Sequence, residues 1–177
     1  MNDLATPSAY GTLTEPTTVK IQRLLPGPIE RVWSYLTQSE LRRQWLAAGT
    51  MENAAGTDVE FVWRNEELSD PPSQRPEGFP EEHRMTSQIV EFDPPHKLVI
   101  TWQGSGNVAF DLKRQGDDVL LTLLHERLPN RKTLLMVSAG WHMHLDLLVA
   151  SMTGAQRLDF WEGWGRLHKE YDELLPL

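Results

Sequence analysis

The sequence predicts an α+β domain in which a curved antiparallel sheet of about seven strands grips one long C-terminal helix. Three observations carry this expectation. From Gly49 to His125 apolar residues alternate with polar ones, and clusters of Gly, Pro and Asp break the runs. The breaks are too short for parallel crossovers, which favours antiparallel pairing and one apolar sheet face. Beyond them Leu134, Val137, Trp141, Leu145, Leu148 and Met152 recur at helical spacing, giving a continuous apolar stripe that the sheet can cover.

The elements follow in order. Residues 1–16, rich in Thr, Ala and Pro, read as a flexible arm. Val19–Leu25 forms the first strand, with Val19, Ile21 and Arg23 in one phase. Pro26-Gly27-Pro28 ends it, and Pro28 suits a helix start, where its missing N–H costs nothing. Ile29, Val32, Trp33 and Leu36 make a short amphipathic helix. Thr37 and Glu40 form a capping-box pattern for a second short helix carrying Leu41 and Trp45. Strands are then expected at 50–53, 59–63, 85–89, 98–102, 108–112 and 119–125. Residues 65–83 interrupt them as a polar Pro- and Glu-rich loop, long enough to be mobile or to gate a site. Asn130 can cap the long helix and Gly154 can end it in a left-handed conformation. Phe160, Trp164, Leu167, Tyr171 and Leu174 mark a second helical stripe. The expected organisation is an arm at 1–16, a grip domain at 17–154 and a helical extension at 155–177. The extension packs on the body or offers a dimer face, so a monomer or a homodimer is expected.

Composition narrows the function. The 177 residues suit one domain with a sizeable core. Seventeen basic against 25 acidic residues give a formal charge of -8. That field repels phosphate backbones, so no nucleic-acid partner is expected. The chain has no cysteine, which excludes disulfides, thiolate zinc sites and cysteine nucleophiles. Met1–Thr18 lacks the basic start and apolar centre of a signal peptide. No apolar run reaches the ~20 residues of a membrane span. A cytoplasmic protein without membrane insertion is expected. Seven tryptophans can fill a broad core or line a cavity.

Five ordered stretches resemble a known superfamily. They are Pro28–Thr37 (PIERVWSYLT), Gln44–Leu46 (QWL), Glu91–Leu98 (EFDPPHKL) running on to Trp102, Thr122–Glu126 (TLLHE) and Gly140–Leu145 (GWHMHL). Together they are similar to the SRPBCC superfamily, the helix-grip fold of the birch-pollen allergen and the StAR-related lipid-transfer domains. The resemblance is closest to bacterial stand-alone domains like the activator of the 90-kDa heat-shock protein ATPase, and it spans about residues 19–152. One departure is Ala54-Ala55-Gly56-Thr57, where similar proteins often carry a Gly-Gly pair. The resemblance implies a cavity between sheet and long helix. Superfamily members bind lipids, hormones or polyketides there, and a minority do chemistry. Activator members instead bind a chaperone through their surface, in stress response.

The residues expected to line that cavity are Trp33, Trp45, Phe61, Trp63, Trp102, Phe110, Leu123, His125, Trp141, Leu145 and Leu148. Some must be core, because a domain of this size cannot leave all of them around a void. His125 is in phase with Leu121 and Leu123 and faces inward. It is either a hydrogen-bonded core residue or a polar anchor for a ligand hydroxyl or carbonyl. His142 and Asp146, four apart, can pair and are expected to form a surface ion pair. His144 projects about 200° from His142, which disfavours a metal site on this helix. Glu91 is expected on the solvated rim. No Gly-x-Ser-x-Gly elbow and no phosphate loop occurs, so no catalytic residue, metal or cofactor is assigned. The expected function is non-enzymatic binding of a small hydrophobic or aromatic ligand. The alternatives are a chaperone ATPase regulator acting through a protein partner, and a cyclase or hydrolase acting on a polyketide-like substrate.

Overall fold

The structure is a computed structural model that describes residues 7–69, 71–104 and 106–176. Strands β1 (Thr12–Glu15) and β2 (Thr18–Pro26) precede helices α1 (Ile29–Thr37) and α2 (Ser39–Arg42). Strands β3 (Asp58–Trp63), β4 (His83–Asp93), β5 (Lys97–Thr101), β6 (Asn107–Gln115) and β7 (Asp118–His125) follow. Helices α3 (Arg131–Thr153) and α4 (Phe160–Leu174) complete the chain. All neighbours in the seven-stranded sheet are antiparallel, in the order β1-β2-β7-β6-β5-β4-β3. The expected α+β architecture is the one observed.

Alternation decides which face is buried. On β2 Val19, Ile21, Arg23 and Leu25 point inward, and on β7 Val119, Leu121, Leu123 and His125 do. The register Val19↔His125 and Val108↔His125 brings three strands together over α3. Asn130 Oδ1 accepts the Thr133 N–H at 2.8 Å to cap α3, and Gly154 closes it at φ 74°. The helix is buried on more than the single expected stripe. His142, Met143 and Leu147 are enclosed along with Trp141, Leu145 and Leu148, because α4 covers the face turned away from the sheet. A Cβ on Gly163 would come within 2.5 Å of Met143 Sδ, so the missing side chain permits that close packing. By length and composition α3 could cross a membrane, but 67% of its apolar window is buried inside the protein.

Four local expectations are corrected. Residues 12–15, placed in a loose arm, form β1; Thr12 pairs with Lys20 and Leu13 with Val19. The rest of that arm over 1–6 lies outside the described residues. Residues 50–53 form no strand. Only isolated bridges, Ala48↔Val62 and Met51↔Val59, lie beside β3. Gly49, at φ 130°, passes so close to β3 that a Cβ would sit 1.6 Å from the Glu60 carbonyl oxygen, and the chain kinks there instead of running as a ladder. The Thr37–Glu40 capping box does not form, because Thr37 Oγ1 donates to the Trp33 carbonyl and Gln38 takes the cap position.

The 65–83 segment is not a free loop either. It begins as a short 3-10 turn, Asn65–Leu68, and buries Leu68, Ser69 and Ser73. Ser69 Oγ accepts the Phe160 N–H at 2.8 Å, Ser73 Oγ the Trp161 N–H at 2.9 Å, and Asp159 Oδ1 the Glu162 N–H at 2.9 Å. Two of the free N–H groups at the start of α4 are thus satisfied by the loop and one by the cap residue Asp159, which ties loop and helix together.

A buried arginine holds the α1–α2 corner. Arg42 donates to the carbonyls of Leu36, Thr37, Ala47 and Gly49 and lies 5.1 Å over the Phe61 ring. Burial pushes its guanidinium down to about 10, still charged near neutrality.

Candidate functional site

Helix α3 packs on β2 and meets the end of β7 through Trp141 and His125, whereas β3–β5 stand away from it. Between them lies a cavity of about 550 Å³. Strands β3 and β4 contribute Trp63 and Met85, and Trp102 follows directly on β5. The 65–83 segment adds Asn65 and Phe79. Helix α3 adds Val137, Gly140, Trp141 and His144, and α4 adds Phe160, Trp161 and Trp164. The aromatic rings form a continuous array. Trp102 lies 5.6 Å from Trp63 and 5.2 Å from Trp141, while Phe79 lies 5.0 Å from Trp161 and 5.5 Å from Trp164. Glu66 and Glu81 stand among the wall residues, and Glu66 is paired with Arg75.

Among the residues expected at a cavity, Trp63, Trp102 and Trp141 lie on this wall. The remaining eight do not. Trp45, Phe61, Phe110, Leu123, Leu145 and Leu148 are closed core. Trp33 sits at the other end of the sheet against Phe92, at 5.3 Å. The helix crosses the sheet closely on the β2–β7 side, so inward phase alone delivers those residues into packing and leaves no open space. His125 is fully buried, and its Nδ1 accepts the Trp141 Nε1–H at 3.0 Å. It stands behind Trp141 as a core residue and does not reach the cavity as a ligand anchor.

The histidine that reaches the wall is His144. Its Nδ1 lies 2.8 Å from the Trp45 carbonyl oxygen. A carbonyl only accepts, so Nδ1 carries the proton and Nε2 presents a lone pair. Burial pushes its pKa down to about 4, against the raising effect of the Trp45 hydrogen bond. The ring stays neutral at physiological pH and lies 4.8 Å from Phe160 and 6.2 Å from Trp141. Two further wall residues hold enclosed polar atoms without a partner among the described residues: the Trp161 Nε1–H donor and the Asn65 Oδ1 acceptor. The Trp141–x–x–His144 spacing could have placed His144 beside Trp141, since residues three apart share a helix face. Nothing local marks Asn65, Phe79 or Trp161, whose positions depend on how the loop and α4 fold back.

His142 and Asp146 pair as their spacing suggests, but not at the surface. His142 is 4% exposed, and its Nε2 lies 3.4 Å from Asp146 Oδ2. Its Nδ1 lies 2.8 Å from the Tyr171 hydroxyl, which accepts the Gly11 N–H at 2.8 Å. Arg23, inward on β2, donates to Asp146 Oδ1 at 2.9 Å and to the Ala9 carbonyl at 2.7 Å. Burial pushes the Asp146 carboxyl up, but His142 and Arg23 together hold it below its usual value. Burial raises the Tyr171 phenol to about 12. The network ties the N-terminal segment, β2, α3 and α4 together on the side of α3 away from the cavity. The correction follows from α4 and residues 7–11, which cover what a lone helix would leave to solvent. Glu91 is exposed, as expected, and lies 3.8 Å from Lys97. Among the described residues no group of three or more His, Asp or Glu could hold a metal ion.

Several solved structures share this fold. A protein from Bordetella parapertussis, determined by solution NMR, matches with a TM-score of 0.79 and 30% identity, covering 96% of this chain and 92% of its own. The crystal structure of CalU16 from Micromonospora echinospora matches at TM-score 0.66 and 21% identity, over 89% of this chain and 87% of that one. DynU16, from the dynemicin biosynthetic locus, matches at TM-score 0.62 and 18% identity, over 82% of this chain and 51% of that one. No curated protein matches. Residues 26–153 match the family described as activator of Hsp90 ATPase homolog 1-like protein. With most of its length matched and a helix gripped by a seven-stranded sheet, the chain belongs to the activator of Hsp90 ATPase homolog 1-like family, a helix-grip domain of the SRPBCC type.

Proposed function

We propose that this protein binds a small, largely apolar aromatic ligand in the cavity between β3–β5 and helices α3 and α4, without transforming it. One observation carries this reading. Trp63, Trp102, Trp141, Trp161 and Trp164, five of the chain's seven tryptophans, surround about 550 Å³ of space. Protein cores are close-packed, and unfilled volume costs stability. A space of this size, walled by rings and edged by a few polar groups, has the character of a small-molecule site. The biosynthetic locus in which DynU16 is encoded fits a small-molecule ligand for that relative, and supports the same class here.

The chaperone-partner alternative rests on the family match. Of the exposed large apolar residues, Tyr10 and Leu174 share one surface cleft while Val90, Met136 and Leu158 lie on other segments, which favours the cavity over a single surface patch.

Gly140 supplies the test. It lies on the cavity wall within α3, and a Cβ there would meet nothing within 4 Å. Gly140→Leu therefore fills the cavity while adding a better helix former. Wild-type protein is titrated with N-phenyl-1-naphthylamine, whose emission rises in apolar surroundings. Saturable one-to-one binding is expected, weakened about tenfold or more by Gly140→Leu without loss of thermal stability. Equal binding by both proteins, or none by wild type, removes the cavity reading.

A further inference from the structure

We infer that the cleft between the N-terminal segment and the end of α4 docks a short extended segment of another protein that carries both basic and apolar side chains. This cleft shares no wall residue with the aromatic cavity, and the inference stands independently of it.

Three features of the cleft carry the argument. It encloses about 790 Å³ and presents apolar surface to solvent. Tyr10 is 37% and Leu174 59% exposed, and Leu13 and Leu175 line the space beside them. One side of the cleft is β1, an end strand of the sheet. Thr12 and Leu13 pair with β2, and among the described residues no strand lies along the other edge. Backbone groups on such an edge are free to pair with an added chain. The charge of the cleft has one sign. Glu170 and Glu173 line it, and no lysine or arginine does. Both lie near the C-terminal end of α4, where the helix carbonyls add negative potential and the last turn holds no basic residue. Arg131 pairs with Asp172 at 2.9 Å, whereas no ion pair forms at Glu170 or Glu173 among the described residues. The two walls are also held together in advance. The Tyr10 hydroxyl donates to Glu170 Oε2 at 2.7 Å, and the Gly11 N–H to the Tyr171 hydroxyl at 2.8 Å. A partner therefore meets a formed site and spends little on ordering it.

Each feature selects one property of the occupant. The free edge takes an extended backbone as an added strand. Tyr10 and Leu174 take an apolar side chain, and the carboxylates take a lysine or arginine. β1 is only four residues long and its ladder shifts between Leu13 and Glu15, so the docked stretch is short and its side chains set most of the affinity. A second copy of this chain fits poorly. Symmetric pairing would set Glu170 and Glu173 against themselves, between chains that each carry a formal charge of -8.

Fluorescence anisotropy of labelled hexapeptides against the full chain tests this. The probe is Lys-Val-Arg-Leu-Lys-Val. Its controls replace the basic residues by Glu, replace the apolar residues by Ser, or N-methylate alternate backbone amides. Only the unmodified probe is expected to bind well, each control being about fivefold weaker or worse. Leu174→Ser and Glu173→Gln, both at exposed positions, should each weaken the probe about fivefold. Glu77→Gln removes the same charge from the exposed 65–83 segment and should leave binding unchanged within about twofold. Unchanged thermal unfolding shows that each variant is folded. No binding by the probe, equal binding by any control peptide, or equal weakening by all three variants overturns the inference. Self-association in sedimentation that Leu174→Ser abolishes assigns the cleft to a second copy and overturns it. Probe binding seen only after removal of residues 1–6 assigns the cleft to this chain's own start and overturns it too.

Discussion

His144 should make this domain lose stability as the pH falls below neutrality, by an amount that one substitution isolates. In the unfolded chain its imidazole protonates near the ordinary value of 6.5, whereas in the fold burial holds it to about 4. Between those values the unfolded state binds more protons than the native state, so acid favours unfolding. The contribution is fully present above about pH 6.5 and is lost on the way down through pH 4. One pKa unit corresponds to about 1.4 kcal/mol, so the gap amounts to about 2 kcal/mol by pH 5 and about 3 kcal/mol by pH 4. That is a large fraction of the stability of an ordinary domain. Replacing His144 by Phe removes the titration while keeping a ring between Phe160 and Trp141. The variant also loses the bond to the Trp45 carbonyl, which costs stability equally at every pH. Urea denaturation of both proteins at several pH values between 7.5 and 5 measures the difference. The wild type should fall about 2 kcal/mol further than the variant. Parallel pH profiles would refute the reasoning, because they would place the His144 ring in contact with water.

Three other outcomes follow from single contacts. Asp146→Ala leaves Arg23, a residue only 6% exposed, without its carboxylate partner and should cost about 3 kcal/mol in urea unfolding; adding Arg23→Met should recover part of it, and a double-mutant cycle without coupling would sink the idea. Gly49→Ala should destabilise by about 3 kcal/mol or more, since φ is 130° and the new Cβ would overlap the Glu60 carbonyl, whereas Gly140→Ala in open helix should stabilise by about 0.5–1 kcal/mol; similar melting temperatures for the two would contradict this. Trp141→Phe removes the donor to the fully buried His125 Nδ1 and should cost about 2 kcal/mol, so a change below about 0.5 kcal/mol in denaturant titration would show that this bond contributes little.

Local pattern carried most of the architecture. Period-two alternation placed β2 to β7 because a half-buried strand must alternate, and it put Arg23 and His125 inward with their apolar neighbours. The caps at Asn130 and Gly154 were legible because one residue type meets one backbone demand at each position. The weak points were short and depended on distant chain. Thr12–Glu15 has little strand signal of its own and becomes β1 only because β2 offers an unpaired edge. Residues 50–53 look strand-like, yet Gly49 approaches β3 too closely for a ladder to form.

The candidate site divides along the same line. That Trp63, Trp102 and Trp141 face inward was written in the sequence, since phase along an element is a local property. Phase says which way a side chain points but not what stands opposite it. The path of α3 over the sheet filled the space around Phe110, Leu123 and Leu145 and left a cavity beside Trp141. The return of α4 and the 65–83 segment walled one side of that cavity and brought Phe79, Trp161 and Asn65 to it, while α4 and residues 7–11 enclosed His142 with Asp146. Sequence alone therefore determined the sheet, the gripped helix and the aromatic supply. Only the tertiary structure decided where space remains, because a void is a property of two surfaces that meet from far apart in the chain.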